Sequence, residues 1–405
     1  MKVLILSMWY YPEPVTKPHD LAVELVRRGH QVIAITGYPN YPTGQIYAGY
    51  RRKLCTRQDV EGVHVLRVGH LIDRSRSALR RVLSYTSFSV NAALGAFKVD
   101  SPDVIWTYQI GLPGLLLSMA KKLPWIHEVQ DLWPEWGRYT TQGLSYLLFG
   151  LLDVQEKMIY NRADRLTTIS SGFQRILIEK GIPEHKIEII PNWANDEHIK
   201  PLSRDTRLGD QAGLQGRFNI IYTGNVGTAQ CLGTVLEAAR LLSDLPQVQF
   251  VIIGDGVERK ELESRAERLG LKNVRFLGSC PPEQLSSYYA FADVLLLPLG
   301  RASAYGVTIP SKTYSYLASG RPILAAASGD VADLVRETGA GVVCPPEDPQ
   351  MLANTVRELY NLPLVQREAM GTAGREAFLA HFRRSLIVDR YETLFEHVIH
   401  HRRQD

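Results

Sequence analysis

Ser311 and Lys312 open a helical pattern straight after Pro310, behind a polar, glycine-containing loop from Gly300 to Thr308. A helix start presents unpaired N–H groups and the positive end of its dipole to an anion. Lys312 adds a formal charge, so the pair suits a phosphate or diphosphate. On residue types alone, a simple N-cap beside a solvated lysine fits as well. Two glycine loops offer a similar opportunity. Gly224-Asn225-Val226-Gly227 and Gly254-Asp255-Gly256 each follow an apolar run and let the backbone come close to a ligand. In the first half, His127, Glu128, Asp131 and Glu135 cluster in HEVQDLWPEW, residues 127–136. Strand alternation sends His127 and Glu128 to opposite faces. His127 reads as a core or supporting histidine, and Asp131, just past the strand, as a residue that reaches a cleft. Glu13, Lys17, His19 and Asp20 follow the first apolar run, where polar side chains line either a cleft or an ordinary surface loop.

The elements that must position these residues are short buried strands alternating with helices. In the first half, strands are expected at Val3–Ser7, Val32–Thr36, Val63–Val68, Val104–Thr107, Trp125–Val129, Leu166–Ile169 and Lys186–Ile190. Helices are expected at Leu21–Arg28, 75–97, Leu112–Lys121, Leu144–Tyr160 and Gly172–Lys180. The opening loop lacks GxGxxG, which argues against a standard dinucleotide site. Tyr38, Tyr41, Tyr47 and Tyr50 crowd the second loop, as a carbohydrate surface or as packing. Basic residues Arg51, Arg52, Lys53 and Arg57 follow. The segment Arg74–Arg81 carries Arg74, Arg76, Arg80 and Arg81 beside Leu79, Val82 and Leu83. It suits either an anionic bilayer surface or a core helix with a solvated basic end. A polar run after Asn192 reads as a linker. From Phe218 onward a second strand–loop–helix series brings the loops at 224–227, 254–256 and 300–311 to one set of strand ends, where open α/β sheets bind ligands.

A chain of 405 residues predicts two or three domains. A hydrophobic fraction of 45% with 22% charged residues is that of a soluble enzyme, and a net charge of +4 is too mild for a nucleic-acid partner. Cys55, Cys231, Cys280 and Cys344 are far apart. Their spacing argues against a metal site and a disulfide framework and fits a reducing cytoplasm. No apolar run is long enough to span a bilayer, and VLILS after Met1-Lys2 is too short for a signal segment.

Taken in order, YTGNVG, VIIGDG, VRFLGSCP, ADVLLLPL and IPSKTYSYLASGRPILA resemble the second domain of GT-B glycosyltransferases of family 4. GHQVIAITGYPNYPTGQIY and HEVQDLWPE resemble the branch that builds bacterial surface polysaccharides, including colanic-acid and O-antigen fucosyl- or fucosaminyl-transferase-like proteins. The resemblance covers nearly the whole chain. It implies an α/β protein of GT-B fold, with two Rossmann-like, doubly wound parallel-sheet domains facing a cleft. Residues 1–200 would bind the acceptor, 217–382 the nucleoside-diphosphate sugar, and 383–405 would form a helix packing back on the first domain. It further implies glycosyl transfer with retention, without metal or cofactor, by a cytoplasmic protein peripheral to the inner face of the plasma membrane. A UDP-sugar is expected ahead of a GDP-sugar, with a saccharide or lipid-linked saccharide as acceptor.

Several positions depart from the wider family. Val307 and Ser315 stand where it usually shows two glutamates, Thr228 where it often has a basic residue, and Gln130-Asp131 where it often has histidine–aspartate. The glycine pair common in its first loop is missing. The expected roles are then these. Asp131 and Lys312 serve catalysis. Gly224, Asn225, Gly227, Asp255, Gly256, Ser311 and Lys312 bind the donor. Lys17, His19, His127 and Gln130 serve the acceptor. A non-catalytic nucleotide-sugar-binding partner of an assembly complex and a sugar-nucleotide epimerase are the rival expectations.

Overall fold

The computed structural model describes residues 1–73, 77–132 and 146–404. The chain divides into two compact units. Unit 1 comprises Met1–Ile169, Phe173–Ile190 and Val388–Asp405, and unit 2 comprises Ser170–Gly172 and Pro191–Ile387. The boundaries between the units fall at Pro191 and Val388.

Unit 1 is built on β1 (Lys2–Leu6), β2 (Gln31–Thr36), β3 (Cys55–Val60), β4 (Val63–Val68), β5 (Val104–Tyr108), β6 (Trp125–Val129), β7 (Arg165–Thr168) and β8 (Ile187–Ile189). Their order is β3-β4-β2-β1-β5-β6-β7-β8. All pairs are parallel except β3 with β4. Every residue of β5 and β6 is buried, as helices on both faces of a parallel sheet require. Those helices are α1 (Lys17–Arg27), α2 (Ala78–Ala96), α3 (Leu112–Lys121), α4 (Tyr146–Arg162) and α5 (Ser171–Glu179), the last beginning in unit 2. Because β1 pairs with β2 on one side and β5 on the other, the order reverses there, and the loops after β1 and β5 diverge to leave a crevice.

β3 is absent from the sequence expectation, which left Arg57 in a basic loop. Its residues alternate between exposed and half-buried, as at a sheet edge. Glu61 and Gly62 join it to β4 with φ of 49° and 82°, the double positive φ of a two-residue hairpin turn. The predicted linker likewise contains a helix, α6 (Thr206–Ala212), started by the Asp205 carboxylate, which accepts from the N–H groups of Arg207 and Leu208.

Unit 2 contains β9 (Phe218–Thr223), α7 (Leu232–Leu241), β10 (Val248–Ile253), α8 (Arg259–Arg268), β11 (Val274–Gly278), α9 (Leu285–Tyr289), β12 (Val294–Pro298), α10 (Ser303–Gly306), α11 (Lys312–Ser319), β13 (Ile323–Ala326), α12 (Asp330–Glu337), β14 (Gly341–Cys344), α13 (Pro349–Asn361) and α14 (Leu364–His381). The six strands run β11-β10-β9-β12-β13-β14, all parallel. Alternate residues feed two cores. Ile221, Val251 and Leu295 enter one, and Ile220, Phe250 and Leu296 the other. The order reverses between β9 and β12.

The last helix, α15 (Arg384–Gln404), belongs to unit 1 from Val388 onward. Val388, Tyr391 and Phe395 are fully buried. Asp389 and Glu392 both receive Arg28, at 2.5 and 2.8 Å. Among the described residues no helix is long and apolar enough to cross a membrane.

Candidate functional site

Each unit carries a site of its own at its strand ends. In unit 2 the loops after β9, β10 and β12 converge. The Gly224 N–H donates to the Ile253 carbonyl, Val226 N–H to Asp255 carbonyl and Gly300 N–H to Ala229 carbonyl, all within 3.0 Å. Gly254 has φ of 152°, and a Cβ on it would stand 1.8 Å from the Gly224 carbonyl oxygen. Glycine there is therefore a packing requirement. Gly227 is buried, and its N–H donates to Gln230 Oε1 at 3.2 Å. The loop's N–H groups at 224, 226 and 227 are thus spent on holding the loops together. What Gly224 and exposed Asn225 offer is close approach. Asp255 is exposed, and its carboxylate accepts from the Gly256 N–H at 2.8 Å.

Lys312 reaches under this platform from the first residue of α11. Its Nζ donates to Tyr222 Oη at 2.7 Å and lies 4.0 Å from the centre of the Tyr222 ring. A Cβ on Gly224 would stand 2.9 Å from the same Nζ. Tyr222 in turn donates to the Asn225 carbonyl at 2.5 Å. Among the described residues no carboxylate pairs with Lys312. Burial of the ammonium lowers its pKa to about 7. A desolvated cation beside a glycine loop, at a sheet's reversal point, is a candidate for holding an anion. Ser311 corrects the sequence reading in one respect. It stands at the N-cap position with φ −57° and ψ −31°, and its side chain caps nothing. Ser315, in the position of a family glutamate, is half-buried on α11, and Val307 presents its carbonyl to Ser170 Oγ at 2.6 Å.

In unit 1 a cavity of about 330 Å³ opens beside the ends of β1, β5 and β6, between α2 and α4. Trp9, Tyr85, Gln109, His127, Asp131 and Tyr160 are among its lining residues. Gln109 holds φ of 62° and donates through Nε2 to Asp131 Oδ2. Burial raises the Asp131 pKa against the pull of that hydrogen bond, giving a more basic carboxylate than usual. His127 shares Nδ1 with Thr107 Oγ1 at 2.9 Å. Burial lowers its pKa to about 4, so it is neutral at pH 7.

The other residues expected on the acceptor side do not line this cavity. Lys17 Nζ and Gln130 Nε2 both donate to Glu128 Oε1, each at 2.6 Å. The Tyr391 hydroxyl donates to Oε2 at 2.6 Å, and Thr167 Oγ1 also donates there. Burial would raise the pKa of this fully enclosed carboxyl, but Lys17 and the hydrogen bonds hold it below the usual range. His19 stacks on Tyr11 at 4.8 Å and faces Glu61 Oε1 at 3.3 Å. Glu13 is also structural: its carboxylate receives the N–H groups of Tyr10, Asn40 and Tyr41. The rest of the basic segment, residues 74–76, and Glu135 lie outside the described residues.

Sequence reasoning missed Tyr222, Trp9 and Gln109. Trp9 was legible as the first aromatic residue past β1 and Gln109 as the first polar residue past β5. Tyr222 looks like any apolar strand residue until its hydroxyl is seen against Lys312.

Residues 14–193 match the model of the glycosyl transferase 4-like domain, and residues 208–377 that of glycosyl transferases group 1. The chain is 30% identical over 411 positions to the putative colanic acid biosynthesis glycosyl transferase WcaI of Escherichia coli K12, spanning 94% of this chain and 98% of that protein. It is 30% identical over 261 positions to the probable glycosyltransferase WbjE of Pseudomonas aeruginosa, spanning 62% of this chain and 63% of that protein. Among solved structures it resembles Anabaena Alr3699/HepE in complex with UDP and glucose, with a TM-score of 0.71 at 18% identity, over 97% of this chain and 99% of the other. With its fold and both halves of its sequence in agreement, the chain belongs to the GT-B glycosyltransferases of family 4, in the surface-polysaccharide branch.

Proposed function

We propose that the protein transfers a sugar from a UDP-sugar to a hydroxyl of a saccharide or lipid-linked saccharide, with retention at the anomeric carbon and without a metal. The observation that carries this reading is Lys312: a half-buried ammonium with no carboxylate partner among the described residues, set under the Gly224 loop. Unit 2 holds the donor there, with the sugar's diphosphate over Gly224 and Asn225, Ser311 and the start of α11 beside it, and Asp255-Gly256 on the nucleoside side. HepE, which shares the fold, is described with UDP and glucose bound. Unit 1 takes the acceptor in the cavity beside Asp131.

In the reaction the bond from the anomeric carbon to the diphosphate oxygen breaks, and the acceptor oxygen bonds to that carbon on the face the diphosphate leaves, as retention in a single step requires. The acceptor's proton passes to Asp131, and the electron pair leaves with the diphosphate. Lys312 stabilises that developing charge. The raised pKa of Asp131 suits its part. His127, neutral and buried, supports the cavity wall.

Thermal shift against UDP, GDP, ADP and dTDP tests the donor half. UDP is expected to raise the unfolding midpoint by mass action, and Lys312→Ala to abolish the rise. No shift with any nucleotide would end this reading. For the acceptor half, Asp131→Asn should lower kcat at least roughly a hundredfold while UDP binding persists. Unchanged turnover removes Asp131 from the chemistry.

A further inference from the structure

Gln109 holds a backbone conformation that its residue type does not favour. It follows the last residue of β5 with φ of 62°, in the left-handed region that glycine and asparagine enter at least cost. The Ile110 N–H donates to the Tyr108 carbonyl across it at 2.7 Å, and a three-residue turn with positive φ at its centre is the rare, strained form. The Gln109 N–H is fixed as well, donating to the Glu128 carbonyl on β6 at 3.0 Å. Strain of this kind persists only where the surroundings enforce it, and it gathers at working sites. Here it turns a long amide into the cavity beside Asp131. Glycine or asparagine would take the same backbone more easily, but neither carries an amide as far from it.

The surroundings of Asp131 leave this amide a part of its own. Arg81 and Tyr85 from α2, His127 from β6, and Glu156 and Tyr160 from α4 line the same cavity, and Tyr108 at the end of β5 lies close to the carboxylate. His127 is neutral at pH 7. Burial pushes the Tyr85 hydroxyl up to about 12 and the Tyr108 hydroxyl above its ordinary range. The charge of Arg81 acts on Tyr85. Glu156 accepts from Lys180 at 2.6 Å and from the Tyr160 hydroxyl at 2.7 Å. Among the described residues, the one hydrogen bond to the Asp131 carboxylate comes from Gln109 Nε2, and it goes to Oδ2. Oδ1 accepts none from them. The bond favours the charged carboxylate against the burial that opposes it.

We propose that Gln109 is the positioning residue for Asp131: the strained turn aims its amide at Oδ2, so that Oδ1 is the oxygen left to take the proton of the acceptor hydroxyl. Gln109 acts through Asp131 and not on the reacting atoms. It fixes the plane of the carboxylate, keeps it ionised beside an apolar wall and selects the oxygen that faces the acceptor. This part for Gln109 rests on the role of Asp131 proposed above.

Two substitutions separate the amide from the turn. Gln109→Met keeps the length and the backbone strain but donates nothing. Gln109→Gly relieves the strain and removes the side chain. The full chain is isotope-labelled at the aspartate carboxyl carbons and titrated with acid in the NMR spectrometer, the Asp131 signal being the one that Asp131→Asn removes. Its titration midpoint is expected to rise by about 1–2 pH units in both Gln109 variants. The unfolding midpoint should stay unchanged in Gln109→Met and lie at or above the wild-type value in Gln109→Gly. Because the base works ionised, the acid limb of kcat should move to higher pH by the same interval. An Asp131 that titrates in Gln109→Met as it does in wild type overturns the proposal. So does an acid limb that Gln109→Met leaves in place while Asp131→Asn lowers turnover. Turnover indifferent to Asp131→Asn would instead remove the role of Asp131 itself, and that of Gln109 with it, even where the titration moves.

Discussion

Lys312 and Tyr222 form a couple in which each residue explains the other. The ammonium is poorly solvated, so its proton is held weakly, with a pKa near 7 against 10.5 for an ordinary lysine. In the proposed site, donor phosphate would bind the protonated form. The donor kcat/KM should therefore fall as pH rises above about 7, and Lys312→Arg, which stays charged, should flatten that fall even if turnover drops. The stability consequence has the opposite sense. Between about pH 7 and 10.5 the unfolded chain binds the proton that the folded one refuses, so this lysine costs stability that is fully felt below pH 7. Lys312→Met should then raise the stability of the free protein at neutral pH by about 1–4 kcal/mol, read by urea denaturation, while donor binding is lost. Tyr222→Phe keeps the ring under the ammonium and removes the hydroxyl that accepts from Nζ. It should shift the pH profile of kcat/KM toward lower pH, an effect that a purely structural role for the tyrosine would not produce.

At the scale of elements, the proposed donor site is a set of strand-end loops held at a fixed spacing by Gly254. Gly254→Ala would drive a methyl group into the Gly224 carbonyl, and the loops must separate. The expected result is a loss of about 1–3 kcal/mol of stability and at least tenfold weaker UDP binding in calorimetry; unchanged binding would show that the spacing does not matter. These loops were readable in advance because glycine after an apolar run is a local signal, and parallel strands send their carboxyl ends the same way. β3 and α6 were not readable by the same means. An edge strand of CTRQDV has no buried face to enforce alternation, and α6 depends on one aspartate cap in a polar run. Asp131 and Lys312 stood out by type and place. Lys17, His19 and Gln130 lie away from that cavity: Lys17 turns to Glu128, 111 residues on, Gln130 to Glu128 two residues back and His19 to Glu61, partners that residue type and place do not announce.

For the molecule as a whole, Glu128 shows how the end of the chain is tied to its middle. It joins β6 to α1 through Lys17, to β7 through Thr167 and to α15 through Tyr391. Deleting residues 388–405 would strip that carboxylate of the Tyr391 hydroxyl and free Arg28 from Asp389 and Glu392. It would also expose core covered by Val388, Tyr391, Leu394, Phe395 and Val398, all buried. Several such side chains at about 1.5–3 kcal/mol each should lower the unit 1 unfolding midpoint by about 10 °C or more. UDP binding by unit 2 should remain, because none of its strands or loops is touched. Scanning calorimetry with and without UDP separates the two effects.

The same interlacing sets an order of events during synthesis. Apart from residues 170–172, all of unit 2 lies between Pro191 and Ile387, and its sheet is complete once those residues have been made. Unit 1 begins first and finishes last, since Tyr391 and its neighbours on α15 are the final pieces of its core. At about 5–20 residues per second, the nascent first half must hold most of its sheet, with Glu128 and Lys17 lacking α15, for as long as the ribosome needs to make unit 2. The part of the protein translated earliest is thus the part whose core closes last.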